Sequence, residues 1–72
     1  MNAPFLDRAA IFEAAMNSVR GYRHRAFDYR RWAREAEEKG DLDAYRKWSA
    51  EAKRADKLKW SSFATAVAYH AS

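Results

Sequence analysis

Apolar residues return at every seventh position through the first half of the chain, at Phe5, Phe12, Val19, Ala26 and Ala33. This is the spacing of a helix that lays one seam against a neighbour in a left-handed supercoil. The flanks of the seam change partway. Ala9 and Met16 widen it on one side, but the later equivalents are Arg23 and Arg30, and Tyr22, Tyr29 and Ala36 widen the other side instead. Gly21 sits at the changeover. A glycine costs a helix about 1 kcal/mol relative to alanine, yet the heptad line passes through it, which predicts one continuous helix over about 4–38. Asn2 is the expected N-cap and Pro4 lies in the first turn, where a missing N–H is harmless. The segment EEKGDLD then supplies a break: Gly40 suits a left-handed C-terminal position and Asp41 can cap a second helix. Residues 39–41 are the turn, and that second helix covers about 42–69. On it Tyr45, Trp48, Ala52, Ala55, Ala66 and Tyr69 form a broad apolar strip, with Leu42, Trp60 and Val67 beside it.

A short loop between long helices predicts an all-α antiparallel hairpin, a single domain over 1–72. An internal echo sets its register. Tyr29-Arg30-Arg31-Trp32-Ala33-Arg34-Glu35-Ala36 recurs sixteen residues on as Tyr45-Arg46-Lys47-Trp48-Ser49-Ala50-Glu51-Ala52, one copy on each side of the turn. Folding back at the turn places residues whose numbers sum to about 81 opposite each other. Tyr29 then faces Ala52, Tyr45 faces Ala36, Trp48 meets Ala33 and Trp32 meets Ser49, each ring over a small residue. Arg30 with Glu51 and Arg46 with Glu35 become rim ion pairs. The KGDLDAY junction resembles the turns of tetratricopeptide-type helical pairs, whose wider repeat pattern is absent.

Two helices leave apolar surface uncovered, and 72 residues is near the size below which one core supplies only a few kcal/mol. The economical expectation is a homodimer pairing into a four-helix bundle. Its core or dimer contacts are Phe5, Phe12, Met16, Val19, Tyr29, Trp32, Tyr45, Trp48, Trp60 and Phe63. The alternative is a three-helix monomer broken near Gly21.

Composition agrees with helix: alanine is abundant, Gly occurs twice and Pro once. There are no cysteines, so no disulfide or thiolate-bound metal contributes. No run approaches the roughly 18 apolar residues of a membrane span, and no signal peptide is legible. The expectation is a cytoplasmic protein with no membrane role.

Charge is where the chain is least even. Its net +4 is carried by Arg20–Arg34, RGYRHRAFDYRRWAR, in which six arginines oppose only Asp28. At about 100° per residue, Arg20, Arg23, Arg30, Arg31 and Arg34 fall within about 100° of one another, with Phe27 among them, while Tyr22, Ala26, Tyr29 and Ala33 point elsewhere. The segment reads as a helix with one packing face and one cationic face.

Catalytic equipment is not visible. There is no nucleophile elbow, phosphate-binding glycine loop, zinc spacing or calcium loop, and no cofactor or metal is expected. His24 and His70 are read as isolated surface or half-buried histidines, His24 lying opposite about Lys57. Asp56 and Lys59, three apart on the second helix, are read as an intrahelical ion pair, or Asp56 as reaching Arg25 across the hairpin. The expected function is a non-enzymatic interaction protein, a small regulator or inhibitor of the kind phages and mobile elements encode. It is expected to bind a protein with an acidic or mixed surface through Arg20, Arg23, Phe27, Arg30, Arg31 and Arg34, since arginine and aromatics are enriched at interface hot spots. The alternative is RNA or DNA on the same basic face, because arginine neutralises phosphate and stacks on bases. A helical-hairpin dimer resembles the Rop-type RNA-binding four-helix bundle in architecture, without a shared sequence motif.

Overall fold

The computed structural model describes residues 7–70. They form two α-helices, α1 (Arg8–Glu38) and α2 (Leu42–His70), which pack on each other as an antiparallel hairpin. The expected cap Asn2, Pro4 and Phe5 lie outside the described residues. The start of α1 differs from the expectation near residue 4. Asp7 has an extended backbone, and its carboxylate accepts a bond from the Ala10 amide at 3.2 Å, so it takes the N-cap role. An aspartate there satisfies an orphan amide and carries its charge at the positive end of the helix dipole.

α1 runs through Gly21 without interruption, which excludes a three-helix chain broken at that point. A Cβ added to Gly21 would meet nothing within 4 Å. Gly40 is different: its φ is +74°. Around it the Asp41 amide donates to the Ala36 carbonyl at 2.9 Å and the Gly40 amide to Glu37 at 3.0 Å, the paired bonds of a Schellman turn. Asp41 then caps α2 through the Ala44 amide at 3.0 Å. These two glycines should respond oppositely to one substitution. Gly21→Ala is expected to raise stability by about 0.5–1 kcal/mol by relieving backbone entropy. Gly40→Ala should lower it by about 1–2 kcal/mol because a side chain at positive φ is strained. Denaturant titration of the two variants checks the pair of signs.

The register follows the internal echo. Trp32 and Trp48 are neighbours, with ring centroids 4.9 Å apart, and Phe12 meets His70 at 5.3 Å near the open end. The contacts themselves differ from the expected ring-over-alanine pairs. Tyr29 stacks on Trp48 at 5.6 Å and meets Trp32 edge-on at 5.8 Å, so three rings cluster together. The expected rim pairs are also replaced. Arg30 pairs with Asp56 instead of Glu51, and Arg46 lies 3.9 Å from Asp43 on its own helix instead of reaching Glu35.

The reason lies in the seam. Every buried residue among those described is an alanine: Ala15, Ala26, Ala33 and Ala36 on α1, Ala52, Ala55 and Ala66 on α2. An alanine-lined seam leaves no room between the helices for a large ring, so the rings lean to the flank and pack on one another. Burying a methyl is worth about 0.8 kcal/mol, against about 1.5–3 for a whole leucine or phenylalanine. The seam is therefore close-fitting but energetically thin.

Candidate interaction surface

Among the described residues six large apolar side chains stand exposed: Phe27, Leu42, Leu58, Trp60, Phe63 and Val67. Scattered single apolar residues are ordinary on a surface, but this many in so small a chain suggest an interaction surface. Phe27 stands on the arginine face of α1 and Trp60, Phe63 and Val67 lie toward the open end of the hairpin, while Leu42 starts α2 beside the turn and Leu58 lies with Tyr22 and Arg25 on the other flank.

The middle of α1 is helical throughout, so the arginine face forms as the spacing requires. Phe27 is 60% exposed, with arginines one or two helical turns away on either side. Those arginines are not equivalent. Arg30 is held across the hairpin by Asp56, and Arg31 lies 3.7 Å from Asp28 on its own helix. Arg20 donates to the Asn17 side chain, while the Arg25 guanidinium lies 5.5 Å above the Tyr22 ring. Arg23 and Arg34 form no ion pair among the described residues. A shallow groove beside the face is lined by Arg30, Ala33, Arg34, Tyr45, Ser49 and Ala52.

Asp56 carries more than its sequence position suggested. Lys59 Nζ sits 3.5 Å from Oδ1, the intrahelical pair expected from the spacing. The cross-hairpin partner, however, is Arg30 and not Arg25. Register explains the choice: at about 100° per residue Arg30 lies on the same flank of the hairpin as Asp56, whereas Arg25 lies on the opposite one. His24 also needs correction. It is not isolated, because its Nε2 lies 3.6 Å from Asp28 Oδ2 one turn further on, a partner the i, i+4 spacing makes legible in the sequence.

At the open end, Trp60 is 60% exposed, Phe63 41% and Val67 58%. Trp60 and Phe63 meet edge-on at 5.8 Å, and Lys59 Nζ lies 4.7 Å over the Trp60 ring. On α1 the half-buried Phe12, Met16 and Val19 occupy the same end. Of the residues expected in the core or a dimer contact, Tyr29, Trp32, Tyr45 and Trp48 are half-buried on the hairpin flanks, while Trp60 and Phe63 are outside the seam altogether. Sequence reading missed Arg8, which ties the open end together by donating to the Ala68 carbonyl at 3.0 Å and lying 4.9 Å over the Tyr69 ring. Spacing alone does not show it, because the register sets residue 8 level with the end of the chain and the long arginine side chain reaches back about one helical turn to Ala68 and Tyr69.

No protein-family model matches the chain, and no curated protein or solved structure is significantly similar to it. Among the described residues no three His, Cys, Asp or Glu side chains converge in a way that would hold a metal ion. No helix among them is long and apolar enough to cross a membrane.

Proposed function

We propose that this chain is a non-enzymatic interaction protein that docks, as a homodimer, on the acidic or mixed surface of another protein, as a small regulator or inhibitor does. The observation that carries the reading is Phe27, 60% exposed and surrounded by arginines. A hydrophobic anchor inside a charged rim is the arrangement of an interface hot spot, where the anchor supplies affinity and the rim supplies steering. The competing partner is nucleic acid. Two features favour protein: Arg30 and Arg31 already pair with Asp56 and Asp28, which reduces the charge free for phosphates, and Glu35, Glu37 and Glu38 adjoin the face. Affinity capture from a lysate with nuclease treatment tests the choice. Protein retained after nuclease supports the proposal, and nucleic acid as the sole retained species overturns it.

The homodimer part rests on the alanine seam. With no residue larger than alanine buried among those described, and the ring cluster of Tyr29, Trp32 and Trp48 only half-buried, the apolar surface that would complete the core of so short a chain is left to an intermolecular contact. Light scattering in moderate salt is expected to give twice the 8.4 kDa chain mass. Helix content should fall on dilution, because association and folding are linked. A concentration-independent single-chain mass overturns it.

A further inference from the structure

We infer that the second copy sits over the open end of the hairpin, on the flank that carries Met16, Val19, Trp60, Phe63 and Val67, with the two loops pointing in opposite directions. The inference rests on the homodimer reading and adds the face, the direction and the offset.

The flank is a single surface. At about 100° per residue Phe12, Met16 and Val19 project on the same side of α1 as Arg30, and Phe63 and Val67 on the same side of α2 as Asp56. The Arg30–Asp56 pair and the Phe12–His70 contact bring those two sides together. By the hairpin register Met16 and Val19 stand level with about Ser62–Thr65, so five apolar side chains share one end of one face.

A second copy fits this end better than it fits the whole face. The loop half of the same flank carries Arg30, Arg34 and Lys53 against Glu37 and Asp56 and is net positive. A full-length pairing with loops together lays that half on its own copy, and one with loops opposed lays it on the apolar end. Both are unfavourable, the first through like charge and the second through buried unpaired charge. An offset pairing avoids both. A two-fold axis crossing the helices level with Phe63 sets each helix antiparallel on its own copy. Trp60 then lies over the second copy's Val67, Met16 over its Val19, and the two Phe63 rings meet at the axis. Large side chains oppose smaller ones, as close packing requires. Charge agrees: Glu13, which forms no ion pair among the described residues, comes level with the second copy's Arg20 and Arg23, and symmetry makes this contact twice. The overlap is about 28 Å long on α1 and about 20 Å on α2 at 1.5 Å per residue, and two helices, about 20 Å, wide. This footprint, on the order of 500 Å² before side-chain relief, is below the ~800 Å² per partner of a standard stable interface and fits a dimer that dissociates on dilution. On α1 it runs over about residues 8–27, so Phe27 lies at its edge and Arg30, Arg31, Arg34 and the loops stay outside it and open to another partner.

The chain has no cysteine, so Lys39→Cys gives one spin label per copy beside the loop. Light scattering and dipolar distance measurement on this full-length variant test mass and geometry separately. The expected result is a dimeric mass with labels about 65 Å apart, from the helix rise and the axis position. A dimeric mass with labels about 45 Å apart, or under about 25 Å, means full-length overlap and overturns the offset while leaving the homodimer reading intact. A single-chain mass at all concentrations overturns both. Val67→Glu and Leu42→Glu then compare two equally exposed positions, 58% and 57%, of which only the first lies in the proposed contact. Val67→Glu is expected to weaken dimerisation at least tenfold and Leu42→Glu to leave it unchanged; equal behaviour of the two overturns the assignment. Should Val67→Glu lose helix by circular dichroism at high concentration, the label distance alone decides.

Discussion

Ala26→Trp and Ala66→Trp are expected to lose about 1–3 kcal/mol of stability each, the usual cost of overpacking a filled site. In a chain of this length that is a fall of about 5–20 °C in melting temperature. Both alanines are 1% exposed, the least exposed residues described, and they lie on opposite helices of one seam. A tryptophan at either place must push the helices apart, which removes the contacts of the neighbouring alanines as well. Ala50→Trp is the control, because Ala50 is exposed on α2 and its substitution should stay within about 0.5 kcal/mol of the parent. Thermal melts at one fixed protein concentration make the comparison, since dilution by itself lowers the stability of an associating chain. If all three variants melt alike, the seam is not where the helices meet and the hairpin register is wrong.

Phe27→Ala should cost binding to a captured protein partner about 2 kcal/mol or more, roughly a thirtyfold loss. The side chain lies outside the alanine seam, so the hairpin should fold as before, and circular dichroism checks that first. The arginines beside it should act unequally. Arg34, with no ion pair among the described residues, is available to a partner without first breaking a contact, whereas Arg31 must leave Asp28. Arg34→Ala is expected to be the costlier of the two, and variants at the rim should change association rate more than dissociation rate. A nucleic-acid target predicts another pattern. Each neutralised arginine would then reduce affinity by a similar amount and lower the salt slope by about one unit, with Phe27→Ala nearly silent. Isothermal titration at two salt concentrations separates the patterns. Full binding by every variant would remove the arginine face from the function and turn attention to Trp60.

Much of the hairpin was legible because its signals are local. The heptad line through Ala26 and Ala33, the positive-φ glycine at Gly40 and the cap at Asp41 each depend on a few neighbouring residues, and each appears where the spacing puts it. The echo across the turn also gave the register. The less legible features depend on how near the helices come. Sequence spacing assigns a ring to a level along the helix but not to the seam or its edge, so it places Tyr29, Trp32 and Trp48 over small residues, whereas the three rings cluster with one another. Arginine is long enough to choose among several acids, which is why Arg30 takes Asp56 over Glu51. The start of α1 was obscured by competing caps, Asn2 and Asp7, with similar chemistry. Of the candidate site, the spacing isolated the exposed Phe27 and its arginines. It did not rank those arginines, because their differences come from partners on the other helix or one turn away.

The three tryptophans stand in two different surroundings, and this gives the molecule its own optical markers. Trp32 and Trp48 are held ring to ring only while the hairpin is closed, so their mutual orientation should produce a near-ultraviolet dichroism signal that tracks folding. Trp60 is largely bare beside a lysine ammonium, and its emission should respond to whatever covers the open end. Emission that shifts to shorter wavelength while the dichroism holds steady would mark the open end being covered on a hairpin already formed, with no foreign dye on the chain.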